Sequence, residues 1–223
     1  MKNTYSIYHF DFFDKIIVKK RIEILSIIKS LIDFKMISSC LDIGATNDIE
    51  RKSSNFLIKN LKEIKILKSI SIQEMDESFF NTSLNKSITN DFTNIEIEKM
   101  SSDLAISSAT IEHVGNEKNQ IKAIGNIIKL SKKYFVITTP NRFHPIDFHT
   151  LIPFIHWLPK KVHRFLLKII GLNYFSKEEN LNLLSKSDLE KMMRSFNDLV
   201  DYKIKTINLF GFVSNFIVIG KKK

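Results

Sequence analysis

The sequence predicts an α/β fold: a doubly wound, mostly parallel sheet of seven strands that ends in an antiparallel hairpin. Three observations carry this. Short apolar, β-branched runs alternate with segments of helical periodicity as far as Pro140, which implies parallel strands covered by helices on both faces. Two strand-like runs lie next to each other near the end of the chain, joined around Gly211, and so short a connection forces antiparallel pairing. The 223 residues, 43% of them hydrophobic, suffice for one substantial core, so residues 1–223 are read as a single domain.

Each element follows from its local pattern. Within an N-terminal helical segment (1–36), residues 14–34 place Ile17, Ile24, Leu25, Ile28, Leu31 and Ile32 on one face of a helix. SSCLDIG reads as a buried strand, and 48–62 as the helix after it, with Asp48 as its N-cap. IKILKSISI alternates as a second strand, and KSITND supplies a short third. SDLAISSA is the fourth strand, followed by a helix through NQIKAIGNIIKLS. KKYFVITTP, aromatic and β-branched and stopped by Pro140, is the clearest strand of the chain. Residues 159–170 read as helix, and Ser187-Asp188-Leu189-Glu190 has capping-box spacing before LEKMMRSF. YKIKTINLFGFVSNFIVIGKK forms the closing hairpin.

The single cysteine, Cys40, excludes an internal disulfide framework and suits a reducing cytoplasm; its place in an apolar run makes it a small buried residue. The first residues, MKNTYSIYHFDFFDKIIVKKR, lack the apolar core of a signal peptide. No stretch reaches the ~18 apolar residues of a membrane span. A soluble, cytoplasmic protein is expected. The net charge of +10 favours anionic partners, although lysines are dispersed along the chain, with a KKK block at its end.

Four stretches, CLDIGATND, SSDLAISSATIEHVG, FVITTPNR and LFGFVSNFIVIGKK, resemble in order and spacing the class I S-adenosylmethionine-dependent methyltransferases, in the branch labelled methyltransferase type 11. The resemblance spans roughly residues 38 to 220. It implies a Rossmann-like methyltransferase fold and S-adenosyl-L-methionine as cofactor. The family's D-x-G-x-G-x-G appears as Asp42 to Asp48, with Gly44 kept and Thr46 and Asp48 replacing the later glycines. Asp42 would then face the cationic end of the cofactor, and Gly44, Ala45 and Thr46 would form the turn against it. Glu74 would accept from the ribose hydroxyls, with Gln73 or Asp76 as alternatives. Asp91 matches the carboxylate near the adenine amino group, with Phe92 beside the ring. Ser107, near the end of the fourth strand, is counted with the cofactor-binding set.

Methyl transfer to oxygen or nitrogen asks the protein for alignment, desolvation and a base of near-neutral pKa, for which histidine suits. His113, beside Glu112, and His149 are the candidate catalytic residues, with His144 as a further candidate and His156 read as packing. The resemblance includes enzymes that use such a Glu-His segment near the acceptor, some of them to hold a metal; no third ligand is evident in the sequence, so no metal is predicted. Residues 141–184 are read as an acceptor-side insertion in which FHTLIPFIHWLP forms an apolar lid. A second reading of that segment is a peripheral membrane contact, with Phe154, Trp157 and Leu158 beside Lys160, Lys161 and Arg164. The expected reaction is methylation of a small-molecule, sugar-linked or lipid-linked acceptor, possible anionic character included, on O rather than N. The alternatives are an RNA or protein methyltransferase and a non-catalytic methyltransferase-like binding protein. The charge favours the first of these, but the amino-methylating D/N-P-P-Y/F motif is absent where the fourth strand ends in SSAT, which argues against nucleic acid. Oligomeric state is left open.

Overall fold

A computed structural model of the protein describes residues 11–48, 51–75 and 78–223. The reading of residues 1–10 as lacking a signal peptide, and the alternative ribose contact Asp76, lie outside these. In chain order the elements are α1 (Asp11–Leu31), β1 (Ser39–Ile43), α2 (Phe56–Lys59), β2 (Ile66–Ser71), β3 (Thr82–Asn85), α3 (Asn94–Met100) and β4 (Ser102–Ser108). There follow α4 (Glu117–Leu130), β5 (Ser131–Pro140), α5 (Lys160–Ile169), α6 (Lys186–Arg194), β6 (Val200–Leu209) and β7 (Phe212–Lys222). The strands form one seven-stranded sheet in the order β3-β2-β1-β4-β5-β7-β6. All neighbours are parallel except β5–β7 and β6–β7, as the closing hairpin requires. The chain winds outward from β1 to β3, then returns to β4 on the other side of β1. That reversal opens a crevice at the carboxyl ends of β1 and β4.

Side-chain alternation splits the core in two. Leu41 and Ile43 of β1 join Ala105, Phe135 and Ile137 beneath α4 and α6. Cys40, Leu104, Ile106 and Val136 face the other way, beneath α1 and α2. Asp42 shares the parity of Cys40 and therefore projects toward α1. That helix and the residue after it bury Ile24, Ile28 and Ile32, spaced to line one side. Truncating fully buried Ile28 to Ala removes about 2–5 kcal/mol. Cys40 is fully buried, and burial, with the nearby Asp42 charge, pushes its thiol pKa well up.

The seven-stranded, mostly parallel sheet, the hairpin and most elements agree with the sequence reading; four local details differ. The third strand is Thr82–Asn85, not KSITND. It is a half-exposed edge strand of Thr, Ser, Leu and Asn, whereas Ile88, the apolar residue that suggested a strand, is buried from a loop. The expected helix over 48–62 contracts to Phe56–Lys59, because Asn55 adopts left-handed backbone (φ 51°) to meet Thr46. Asp48 accordingly caps no long helix; it accepts from the Arg51 amide. The capping box before α6 is Ser185 with Asp188, two residues earlier than expected. One helix, α3, was not anticipated, although Thr93 and Glu96 form a complete capping box at its start.

Residues 141–184 fold back on their own base. Asn141 bridges Leu184, and the Arg142 amide donates to the Leu184 carbonyl at 2.9 Å. Inside the segment Leu167, Phe175, Leu181 and Leu183 form a separate small core. Buried Asn182 ties it to the β4–α4 connection: its amide donates to the Glu112 carbonyl at 2.7 Å and its side chain to the Gly115 carbonyl at 2.8 Å.

Candidate active site

A cavity of about 720 Å³ lies at the carboxyl edge of the sheet. Asp42 and the turn Gly44–Thr46 line it from β1, Ser71 and Ile72 from β2, and Ser108–Thr110 from β4. Arg21 of α1 closes one side, and Glu112, His113 and His149 the other.

At the first end the backbone carries the geometry. Gly44 has φ +86°, a conformation that L side chains rarely adopt, and a Cβ there would stand 2.2 Å from Thr110 Oγ1. Its amide is held by the Ile70 carbonyl at 2.8 Å, and the Ala45 carbonyl accepts from Ser71 Oγ at 2.7 Å. Asn55 then occupies both backbone groups of Thr46, accepting from its amide at 2.9 Å and donating to its carbonyl at 2.7 Å. Gln73 accepts from the Asn47 amide at 2.9 Å. The turn is thus fixed before any ligand arrives. Thr46 Oγ1, in contrast, is buried without a hydrogen-bond partner, a cost that a bound polar group relieves.

Asp42 is buried, and that burial raises its pKa to about 7, with Arg21 pulling the other way. Arg21 itself sits on the apolar stripe of α1 and donates to the Ser53 carbonyl, while Ser53 Oγ donates to Asp14. Burial disfavours its charge; Asp14, Asp42 and Glu112 support it. This end of the cavity therefore holds a buried carboxylate of raised pKa and a guanidinium in one lining, suited to a ligand that carries both a cation and an anion.

At the second end two histidines face each other. His149 Nδ1 lies 2.9 Å from Asp147 Oδ1, and Thr150 Oγ1 donates to the other carboxylate oxygen at 2.8 Å. His113 Nδ1 lies 2.6 Å from the Asn180 carbonyl, which can only accept, so Nδ1 carries the hydrogen. Each ring thereby directs a basic Nε2 at the other, and these two atoms are 3.2 Å apart. Two lone pairs at that distance repel; one proton between them makes a hydrogen bond. Burial opposes charge on His149, yet Asp147 outweighs it and raises the pKa. Burial and the His149 charge depress His113 to about 3. Burial would raise Asp147, but charged His149 and its hydrogen bonds hold it far below the usual carboxylate range. The shared proton therefore belongs mainly to His149.

Glu112 completes this end. It is fully buried; Oε2 accepts from Thr139 Oγ1 at 3.0 Å, and Oε1 has no partner. Burial lifts its pKa to about 6. Glu112, His113 and His149 offer atoms within 4.8 Å of one another. A small cation, proton or metal, matches that donor set.

Of the sequence candidates, Asp42, Gly44, Ala45, Thr46, Glu112, His113 and His149 all line the one cavity. The structure puts five others, Glu74, Asp91, Phe92, Ser107 and His144, outside the lining. Glu74 is exposed, outside the lining. Asp91 has a side chain 94% exposed and pairs with Lys122 at 2.8 Å, while Phe92 is packed in the core under Lys86. The cavity is reached instead by Lys86–Thr89, because β3 ends earlier than expected. Ser107 is buried within the sheet, its hydroxyl without a partner, and the next residue, Ser108, reaches the cavity. His144 binds the Ile146 and Leu209 carbonyls, and His156 is buried against the His144 carbonyl, as packing histidines. Two residues escaped the sequence reading. Arg21 is detectable as a cation on an apolar helical stripe, and Asp147 by its Asp-x-His spacing to His149.

No family model matches this sequence, and no curated protein does. Solved structures do match in three dimensions. Magnesium protoporphyrin IX methyltransferase from Synechocystis PCC 6803, with bound SAH, aligns over 99% of this chain and 91% of its own at TM-score 0.59 and 10% identity. An O-methyltransferase family protein from Burkholderia thailandensis aligns over 94% of this chain and 58% of its own at TM-score 0.58 and 11% identity. The N-methyltransferase NodS from Bradyrhizobium japonicum WM9 aligns over 92% and 97% at TM-score 0.53 and 9% identity. The sheet order, the crevice at its reversal and these superpositions together give the chain the fold of the class I S-adenosylmethionine-dependent methyltransferases.

Proposed function

We propose that the protein transfers a methyl group from S-adenosyl-L-methionine to an oxygen of a small, sugar-linked or lipid-linked acceptor. One observation carries the reading: a single cavity joins the pinned Asp42–Thr46 turn to the facing histidines. When bound, the cofactor supplies the electrophilic methyl group and the leaving group. The residues fit it. Asp42, buried and of raised pKa, gains a cationic partner; Arg21 offers charge to a carboxylate; Thr46 Oγ1 gains the hydrogen bond it lacks. Ile72 and Ser87–Thr89, which line the cavity after β2 and β3, are the side chains available to the nucleoside, since Glu74, Asp91 and Phe92 lie outside the lining.

The histidine pair serves as base. With both rings neutral, both Nδ1–H groups are committed and both Nε2 atoms can accept. A hydroxyl in the cavity loses its proton to this pair, which then holds it between the rings against Asp147. Glu112 lends further negative charge. Burial excludes water that would compete with the acceptor. Transfer of a labelled methyl group from the donor to an added hydroxyl acceptor tests the proposal, with capture only by amines as the opposing result.

Two alternatives make distinct predictions. An RNA or protein acceptor, motivated by the +10 charge, requires strongly salt-dependent RNA binding. A non-catalytic binding role, motivated by Thr46 and Asp48 in place of glycines, requires that S-adenosyl ligands leave stability unchanged. The described residues contain no helix long and apolar enough to cross a membrane. The cytoplasmic location rests on the lone, buried cysteine.

A further inference from the structure

The outward face of α5 is apolar where a surface helix is ordinarily polar. Val162 is 44% exposed, Phe165 63% and Ile169 64%, at spacings of three and four that form one stripe. The opposite face is already buried through His163 and Leu167, so this stripe is surplus to the fold. Just before the helix, Phe154 and Trp157 are 54% and 41% exposed, their rings 4.9 Å apart. Charge complements this surface in one sense only. From Phe148 to Lys177 the chain contains no Asp or Glu. Lys160 donates to Asn182, and Arg164 pairs with Glu178, so these two serve the insertion itself. Lys161 and Lys168 are exposed beside the stripe.

We propose that this face docks on an anionic bilayer surface, with Phe165, Ile169 and Trp157 entering the headgroup boundary and Lys161 and Lys168 meeting lipid phosphates. An apolar stripe flanked by lysines, with an aromatic turn beside it and no carboxylate in the segment, is the pattern of an interfacial helix. The same segment reaches the cavity through Phe148, His149 and Leu151. Docking therefore presents the cavity to molecules held in the bilayer, a consequence that rests on the methyl-transfer reading and narrows the acceptor to a membrane-borne one.

The test is flotation of the full chain with vesicles of phosphatidylcholine, with and without phosphatidylglycerol. The wild type is expected to float with the anionic vesicles only, less so at high salt. Phe165→Ser with Ile169→Ser, and separately Lys161→Glu with Lys168→Glu, are expected to lower partitioning about tenfold or more. Lys203→Glu with Lys205→Glu, which makes the same charge change on the exposed face of β6, should leave it intact. All these side chains are exposed, and an unchanged melting temperature verifies each fold. The proposal is overturned if wild type ignores phosphatidylglycerol, if the α5 variants float like wild type, or if the β6 variant loses as much. It is also overturned if the wild type is a dimer that Phe165→Ser dissociates, which assigns the stripe to a second copy. The measurement needs no cofactor, so its failure is separate from failure of the methyl-transfer reading.

Discussion

The two ends of the cavity are built in opposite ways. The Asp42–Thr46 end is made by strand β1 and backbone hydrogen bonds: sheet alternation aims Asp42, and Gly44, Asn55 and Gln73 fix the turn. The histidine end is made by side chains from distant stretches: His113 follows β4, whereas Asp147 and His149 belong to the insertion, and the two rings meet at 3.2 Å while Asn180 and Asn182 of the insertion hold the His113 segment. The first end is a feature of the sheet; the second depends on how the insertion is docked. Cofactor binding and catalysis should therefore separate by mutation.

The largest expected separation comes at the histidines. His149→Ala and His113→Ala are expected to lower turnover by ~10²-fold or more while cofactor affinity stays near normal, read by steady-state kinetics beside calorimetry. Equal losses of turnover and affinity would break the division. Asp42→Asn should do the converse: loss of a charged partner weakens cofactor binding by about 10-fold to 100-fold, with smaller change in turnover at saturation. Gly44→Ala combines disallowed backbone with the Thr110 clash and is expected to cost about 1–3 kcal/mol of stability, seen in denaturant melts. Asp147→Asn sharpens the account of the base. Because Asp147 raises His149, the wild type gains activity as pH rises through that raised pKa; the Asn variant should move this limb to lower pH and reach a lower plateau. Chelation with EDTA separates the cations that the Glu112, His113 and His149 donors suit: a shared proton leaves turnover unchanged, whereas loss on chelation and recovery with metal would replace the base by a metal. The smallest effect is Thr46→Val, a few-fold loss of cofactor affinity for one hydroxyl.

The same contrast explains what the sequence reveals. The sheet, its hairpin and the Asp42–Gly44 turn are legible because short apolar runs and a glycine that closes one of them are local signals. Glu112, His113 and His149 are legible as types at the carboxyl edge, but their grouping is not, since nothing local states that residues 36 positions apart put their Nε2 atoms together. Asp91 and Phe92 lie outside the cavity lining for a related reason: β3 is polar and at the sheet edge, so its ending carries no hydrophobic marker, and a shift of a few residues decides which side chains line the cavity. Arg21 carries no local signal of its role, because a cation on a helix is ordinarily solvated.

The central claim is that a buried carboxylate of raised pKa at the tip of β1 awaits a cationic ligand. Its most direct test is calorimetric titration of S-adenosylhomocysteine and S-adenosylmethionine between about pH 6 and about pH 8. Folded Asp42 has a raised pKa of about 7, so it is mostly protonated at the lower pH and must release that proton to pair with a sulfonium or ammonium group. The account predicts binding of both ligands with proton release and with affinity that strengthens as pH rises through 7, a dependence lost in Asp42→Asn. No heat at millimolar ligand, or an affinity equally independent of pH in both proteins, would contradict it.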